Sequence, residues 1–377
     1  MGIEVLFVDD EPDVLEGIEN RLYAIRSSWR CRFAESGVDA LKMLNQKPAD
    51  VVVSDMRMPG MDGAELLEVV KLRFPTTVRI ILSGETGARG FLRAAAVAHQ
   101  VLAKPCDLVA LQRLIGETLQ LQERLHSEDV VSAVHDLMVL PSPPEISARL
   151  EIALLDEGTF ARDVADILEE DPAIVSRILH VANSPFFRGS GEVTDLRNAI
   201  TRLGFELIRG LVLSEELYSR IERGSPMHAS VAQCQRETLR FAYIASCIAL
   251  PSPDRRRGFT AAVLYGVGRL RRLSLPELGH ADVADGELAG YLLSLWGLPF
   301  GLVQSVAFAD RPSLLGCAGD HAAVTLHLAL ILTRRLAAAE RVDWAEEPGF
   351  DIDLLDSGRV DAARLEAAEQ AAAAWKS

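Results

Sequence analysis

Four short apolar runs, Glu4 to Val8, Asp50 to Ser54, Val78 to Leu82 and Val101 to Ala103, are rich in Val, Ile and Leu, as strands buried on both faces are. Arg30 to Ala34 reads as a further strand. Between them the spacing is helical, as in Val14, Leu15, Ile18 and Leu22, and again in Leu66, Leu67 and Val70. This β-α alternation predicts a doubly wound, five-stranded parallel sheet, whose right-handed crossovers bring the carboxyl ends of the strands to one edge. A helix should follow, capped by Asp107, with Leu108, Leu111, Leu114 and Ile115 facing inward. From about Val130 strand signals nearly vanish. Asp171-Pro172 is a helix start, followed by Ile174, Val175, Ile178, Leu179 and Ala182 on adjoining stripes, so the second half should be an all-helical domain. The expected fold class is therefore α/β plus all-α.

The strand ends carry candidate chemistry: Asp9 and Asp10, Asp55, Ser83, and Lys104-Pro105. Mg²⁺ is a hard ion that takes a few carboxylate oxygens and keeps several waters, so Asp10 and Asp55, with Asp9 acting through water, are a sufficient set. Asp55 is also a candidate nucleophile: a carboxylate attacking a phosphoryl donor gives an acyl phosphate, a reaction driven mainly by positioning and charge neutralisation. Lys104 would pair with one phosphoryl oxygen and Ser83 would donate a hydrogen bond to another. Pro105 could hold a cis peptide that aims the lysine.

Composition narrows the partners. The 377 residues suggest two or three domains, and 49% hydrophobic with 25% charged residues is a globular balance. Lys+Arg of 39 against Asp+Glu of 54 leaves a formal charge of −15, which argues against direct DNA binding and against an anionic-membrane surface. Cys31, Cys106, Cys234, Cys247 and Cys317 form no C-x-x-C pair and read as reduced, mostly buried thiols, which fits a cytoplasmic location. Asp9, Asp10 and Glu11 interrupt the first apolar stretch, so no signal peptide is expected, and runs such as Ala322 to Leu332 are too short to span a membrane.

Leu6-Phe7-Val8-Asp9-Asp10-Glu11-Pro12, Ser54-Asp55-Met56-Arg57-Met58-Pro59-Gly60-Met61-Asp62-Gly63, Ser83-Gly84 and Lys104-Pro105 together resemble the receiver domain of bacterial two-component response regulators. The resemblance covers roughly the first 120 residues. It implies phosphorylation of Asp55 by a sensor histidine kinase, with Asp9, Asp10, Asp55 and the Arg57 carbonyl around Mg²⁺. One position departs from the family: Val101 stands where receivers usually carry a Phe or Tyr that turns inward on phosphorylation, which puts coupling by aromatic rotation in doubt. Ser83 and the glycine-rich segment 84–90, with Glu85 and Arg89, remain free to respond.

The second half resembles the HDOD domain, an output module related to HD-type metallophosphohydrolases. The resemblance rests on Leu140-Pro141-Ser142-Pro143-Pro144-Glu145-Ile146, Asp171-Pro172-Ala173-Ile174-Val175, Ala182-Asn183-Ser184-Pro185-Phe186-Phe187, and Ala199 to Phe205 with Leu211 to Leu213. An HD hydrolase needs a His-Asp dyad and further histidines converging on metal. Here Tyr265 and Gly266 stand in the dyad's place, Asp285 precedes the Glu287 to Leu292 stretch where a histidine is often found, and Ala309-Asp310 replaces a pair of histidines. His135-Asp136 spells a dyad but lies ahead of the Leu140-Pro141 motif and reads as a helix-surface pair. His280, His321 and His327 read as packing or surface residues; the spacing of His321 and His327 does not place them on one helical face. Phe186 and Phe187 could dock a partner or fold into the core, and Arg255 to Arg257 with Arg269, Arg271 and Arg272 could receive an anion or form a solvated run.

These readings divide the chain into a receiver over 1–121, a helical linker over 122–130 and an HDOD output domain over 131–377. They describe a response regulator whose non-catalytic output binds a downstream protein not identified by the sequence. Leu111, Leu114, Thr118, Leu121 and Leu125 follow a heptad rhythm that could join two protomers, or could pack on the receiver's own sheet. A metal-dependent cyclic-nucleotide phosphodiesterase and a constitutive scaffold with a non-switching receiver are the alternatives.

Overall fold

The computed structural model describes residues 2–24, 29–84, 94, 97–125, 130–131, 134, 140–142, 146, 149–150, 152–153, 159–184, 187, 191–204, 207–208, 218–220, 224–248, 254–274, 283–315, 321–335, 350–351, 353–356, 366 and 369–370. Two compact units emerge: Met1–Met138 with Asn183–Arg188 and Ser294–Gly297, and the remainder.

In the first unit β1 (Glu4–Val8), β2 (Arg30–Ala34), β3 (Val51–Asp55), β4 (Val78–Ser83) and β5 (Gln100–Ala103) form one sheet in the order β2-β1-β3-β4-β5, and each neighbouring pair is parallel. Val5 to Val8, Val51 to Val53 and Val78 to Leu82 are buried, the expectation for strands covered on both faces. Helices α1 (Pro12–Ala24), α2 (Gly37–Gln46), α3 (Gly63–Arg73) and α4 (Leu108–Glu123) supply apolar stripes such as Leu15, Ile18 and Leu22, or Leu66, Leu67 and Val70. The Asp107 carboxylate caps α4, accepting from Val109 and Ala110 N–H at 2.9 and 3.3 Å. Leu111, Thr118, Leu121 and Leu125 are buried, while Leu114 is only half-buried. The Lys104-Pro105 peptide is cis.

The second unit is mostly helical: α5 (Ala161–Leu168), α6 (Pro172–Asn183), α7 (Leu196–Leu203), α8 (Pro226–Ile248), α9 (Asp254–Ser274), α10 (Asp285–Leu295), α11 (Phe300–Ala307), α12 (His321–Arg335) and the single turn α13 (Asp353–Asp356). One correction to the all-helical expectation is a pair of short parallel strands, β6 (Leu140–Ser142) and β7 (Tyr218–Arg220). Three-residue strands, one holding Pro141, carry too little alternation to register in a hydrophobic pattern. The centre is α9, where Ala261 to Leu264, Tyr265, Val267 and Leu270 are all buried. It packs on α8, α11, α12 and β6, which cover its apolar middle, while its arginines stand toward the two ends.

Asp171 caps α6 as its sequence predicts, accepting from Ala173 N–H at 2.8 Å, and also accepts from the Ser142 hydroxyl. Cys31, Cys106 and Cys234 are thiols outside any disulfide, and burial pushes each pKa up to about 11, so none is a ready thiolate. Cys317 lies outside the described residues. Among the described residues no helix is long and apolar enough to cross a membrane.

Candidate functional site

The parallel sheet gathers three of the predicted residues at its carboxyl edge. Lys104 Nζ lies 2.7 Å from Asp9 Oδ2 and 2.5 Å from Asp55 Oδ1. Each carboxylate uses its second oxygen on backbone: Asp9 Oδ1 accepts from Glu11 N–H at 3.1 Å and Asp55 Oδ2 from Arg57 N–H at 2.9 Å. Asp9 and Asp55 are buried, at 2% and 8% exposure, and a buried charge needs such pairing. Burial pulls the Lys104 pKa down, but hydrogen bonds and charge from Asp55 and Asp9 outweigh it, and the net shift is upward from 10.5.

Sheet ladders continued past the strand ends hold these groups in place. Asp9 N–H donates to Ala34 O at 3.2 Å, Met56 N–H to Leu82 O at 3.0 Å and Lys104 N–H to Ser83 O at 2.9 Å. Ser83 is buried at the end of β4 and Asp10 is half-buried beside Asp9. Arg57 enters through its backbone N–H. Among the described residues no group of three or more His, Cys, Asp or Glu side chains stands ready to hold a metal ion, so Asp9, Asp10 and Asp55 do not form a three-carboxylate cluster. Lys104 gathers two of them to itself, and Mg²⁺ typically takes only one or two protein carboxylates with carbonyl and water oxygens. The donor types therefore suit that ion.

Two glycines, neither singled out as a site residue by its sequence, shape the loop after β3. Gly60 adopts a φ of +78°, a conformation open to glycine at little cost. Gly63 opens α3 so close beneath the site that a Cβ there would lie 2.0 Å from the Asp55 carbonyl oxygen. Asp62 and Glu65 then form a capping box, accepting from Glu65 and Asp62 N–H at 2.9 and 3.0 Å. Val101 is buried in β5 opposite Ile81 of β4, a core position.

In the second unit the dyad position is tightly enclosed. Tyr265 is 1% exposed, and its hydroxyl lies 3.3 and 3.2 Å from the Asp310 carboxylate oxygens. Burial, then the charges of Asp310 and Asp285, raise the tyrosine pKa well above 10, so it stays an O–H donor. Burial also raises the Asp310 pKa, against opposing pulls from Arg334 and Tyr265. Phe241 packs edge-on to Tyr265 at 5.4 Å, and the Arg269 guanidinium lies over its ring at 5.6 Å. A Cβ on Gly266 would lie 2.7 Å from Thr238 Oγ1 and 2.9 Å from Pro172 Cγ.

His327 is a core residue. Its Nδ1 lies 2.9 Å from Ala309 O while Nε2 accepts from Asp351 N–H at 2.9 Å, which assigns the neutral tautomer protonated on Nδ1. Of the Asn183 to Phe187 motif, Ser184 is buried and Phe187 half-buried. Arg269 and Arg272 are engaged with acids, Arg269 Nε at 3.7 Å and Arg272 Nε at 2.8 Å from Asp285. His135, Asp136, Phe186, His280 and residues 85–90 lie outside the described residues, as do the side chains of Arg255, Arg256 and His321.

Fold and carboxylate–lysine site define the class, a response regulator with a receiver ahead of a helical output region. A family model for the response regulator receiver domain matches residues 5–116, and one for the HDOD domain matches residues 140–278; the chain belongs to the response regulators that join these two domains. It is 33% identical over 143 residues to the DNA-binding transcriptional regulator NtrC of Proteus hauseri, covering 36% of this chain and 29% of that protein. It is 27% identical over 178 residues to the response regulator protein PilR of Pseudomonas aeruginosa, covering 47% of this chain and 39% of that one. The chain thus spans well under half the length of these curated relatives. Among solved structures, MmoQ response regulator from Methylococcus capsulatus aligns with 61% of this chain and 98% of its own at 22% identity and a TM-score of 0.47.

Proposed function

We propose that Asp55 accepts a phosphoryl group from a sensor histidine kinase, and that the signal leaves through a non-catalytic HDOD domain that binds a downstream protein. The observation that carries the first part is Lys104 Nζ within 2.7 Å of Asp9 and 2.5 Å of Asp55. That cation would pair with an oxygen of the incoming phosphoryl group, and Ser83 at the end of β4 would donate to another. Asp9, Asp10, Asp55 and the Arg57 carbonyl would hold Mg²⁺, which when bound neutralises charge on the transferring group. Asp55 is the nucleophile, and the Arg57 N–H on Oδ2 helps hold its carboxylate in place.

The non-catalytic part is supported by the enclosure of Tyr265 and Gly266. Tyr265 spends its hydroxyl on Asp310, and Gly266 has Thr238 and Pro172 where a ligating side chain would start. A second reading, a scaffold whose receiver does not switch, is favoured by Val101, an aliphatic core residue with no ring to turn.

Labelling with acetyl phosphate in Mg²⁺, followed by hydrogen exchange across the whole chain, tests the proposal, with Asp55→Asn as control. Acyl phosphate should form on the wild type alone and alter exchange in both domains. Labelling of Asp55→Asn at the wild-type rate overturns the assignment; exchange changes confined to the receiver favour the scaffold.

A further inference from the structure

The acids and arginines around Tyr265 take no part in phosphoryl acceptance, yet they form a connected polar assembly inside the second unit. Arg269 of α9 reaches Glu237 of α8 at 3.6 Å and Asp285 of α10 at 3.7 Å. Arg272 of α9 reaches Asp285 at 2.8 Å and donates to Val283 O. Arg334 of α12 lies 3.6 Å from Asp310, which follows α11 and accepts from Tyr265 of α9. Phe241 of α8 closes the aromatic side.

The surrounding backbones are too close to slide. A Cβ on Gly268 would lie 1.9 Å from Asp285 O, one on Gly286 would lie 2.7 Å from Val306 O, and one on Gly290 would lie 2.4 Å from Ala307 Cβ. Glycines here let α9, α10 and α11 approach until only one register fits. The charges balance: Arg269, Arg272 and Arg334 face Glu237, Asp285 and Asp310. A balanced cluster leaves no surplus to attract an anion or a cation, and its members already have partners. A set of partly buried charges that binds nothing is expensive to keep, and fixing a unique packing is the best-attested use of such groups.

The geometry points to Tyr265 and Asp310 as the central cross-link of the HDOD helices, a metal-independent tie through which α8, α9, α10 and α12 open as one cooperative unit. This rests on reading the domain as a binding output rather than a metal hydrolase.

Hydrogen exchange on the full chain separates the two ideas, using Tyr265→Phe, Asp310→Asn and the double variant, with wild type also run in Mn²⁺ and in EDTA. Tyr265→Phe keeps the ring against Phe241 and removes only the hydroxyl, so it decides the matter even where Asp310→Asn does not fold. It should raise exchange in all four helices together by about tenfold or more, the scale of one hydrogen bond to a carboxylate. The double variant should do no more than the stronger single one. Additive effects, or changes confined to α9, overturn the cross-link. Slower exchange in α9 and α10 with Mn²⁺, reversed by EDTA, overturns the non-catalytic reading beneath it.

Discussion

Replacing Gly63 by alanine asks one methyl group to enter a space the chain has already filled. The new Cβ would lie 2.0 Å from the Asp55 carbonyl oxygen, 3.0 Å from the Asp55 carbonyl carbon and 3.1 Å from Ser54 Oγ. Real Cβ contacts essentially never fall below 3.0 Å, so Asp55 or the start of α3 must shift by at least about 1 Å. The obstacle is backbone of a central strand, which cannot rotate away, so the cost belongs at the upper end of the 1–3 kcal/mol typical, at roughly that scale, of overpacking. A misplacement of about 1 Å at a reacting carboxylate also costs on the order of 100-fold in rate. Gly63→Ala should therefore accept phosphate from acetyl phosphate about two orders of magnitude more slowly, although no reacting group has changed. Exchange of the amides in 51–55 should quicken alongside. Gly17, inside α1 with nothing within 4 Å of its would-be Cβ, is the matched control, and Gly17→Ala should stabilise by roughly 0.5–1 kcal/mol. Wild-type labelling and wild-type protection in Gly63→Ala would refute the reasoning.

His327→Phe should cost roughly 1–3 kcal/mol in urea unfolding at pH 7, because Ala309 O and the Asp351 N–H lose their buried partner. Burial holds the His327 pKa below its usual 6.5, against the Ala309 carbonyl and Asp351, so the folded state resists protonation. Stability should fall as pH drops below 6.5 toward the folded value, and His327→Phe should lose that slope; an unchanged slope rules the residue out. Asp171 works with the opposite sign: burial pushes its carboxyl up to about 6 from 3.8, over the hydrogen bonds from Ser142 and Ala173. Its stabilising protonated form is present below 3.8 and lost as pH rises through about 6, worth on the order of 3 kcal/mol. Asp171→Asn should flatten the fall in stability between those pH values, and equal slopes in the two proteins would exclude it.

The centre of the sheet was legible because its strands are buried on both faces: Glu4–Val8 falls where the apolar pattern puts it, and Val51–Asp55 differs from it by a single residue at each end; the edge strand Arg30–Ala34 is only partly buried, yet also falls where its sequence puts it. Asp107 and Asp171 were legible as caps because capping is local. The acid–lysine site emerged from topology, since parallel crossovers must collect Asp9, Asp55 and Lys104 at one edge. What the pattern hides is long-range. Tyr265 and Asp310 are 45 residues apart, and His327 is 18 and 24 residues from its two partners, so neither pairing leaves a periodic trace. Gly63 is an ordinary helix-start residue until β3 is laid beneath it. The leucine rhythm of α4 reads two ways, because packing within one chain and pairing with a second protomer need the same spacing.

The order of strands gives Lys104 a longer reach than its place beside Asp55 suggests. Asp55 ends β3 and Lys104 follows β5, with β4 and Ser83 between them, so the lysine spans two strand spacings, about 10 Å, to close on the acid. Among the described residues β5 is the last strand of the sheet, paired with β4. The ion pair is thus a gauge laid across the sheet, one end fixed in a central strand and the other in the edge. Anything that takes the ammonium's place on Asp55 loosens this tie between β3 and the strand two places away.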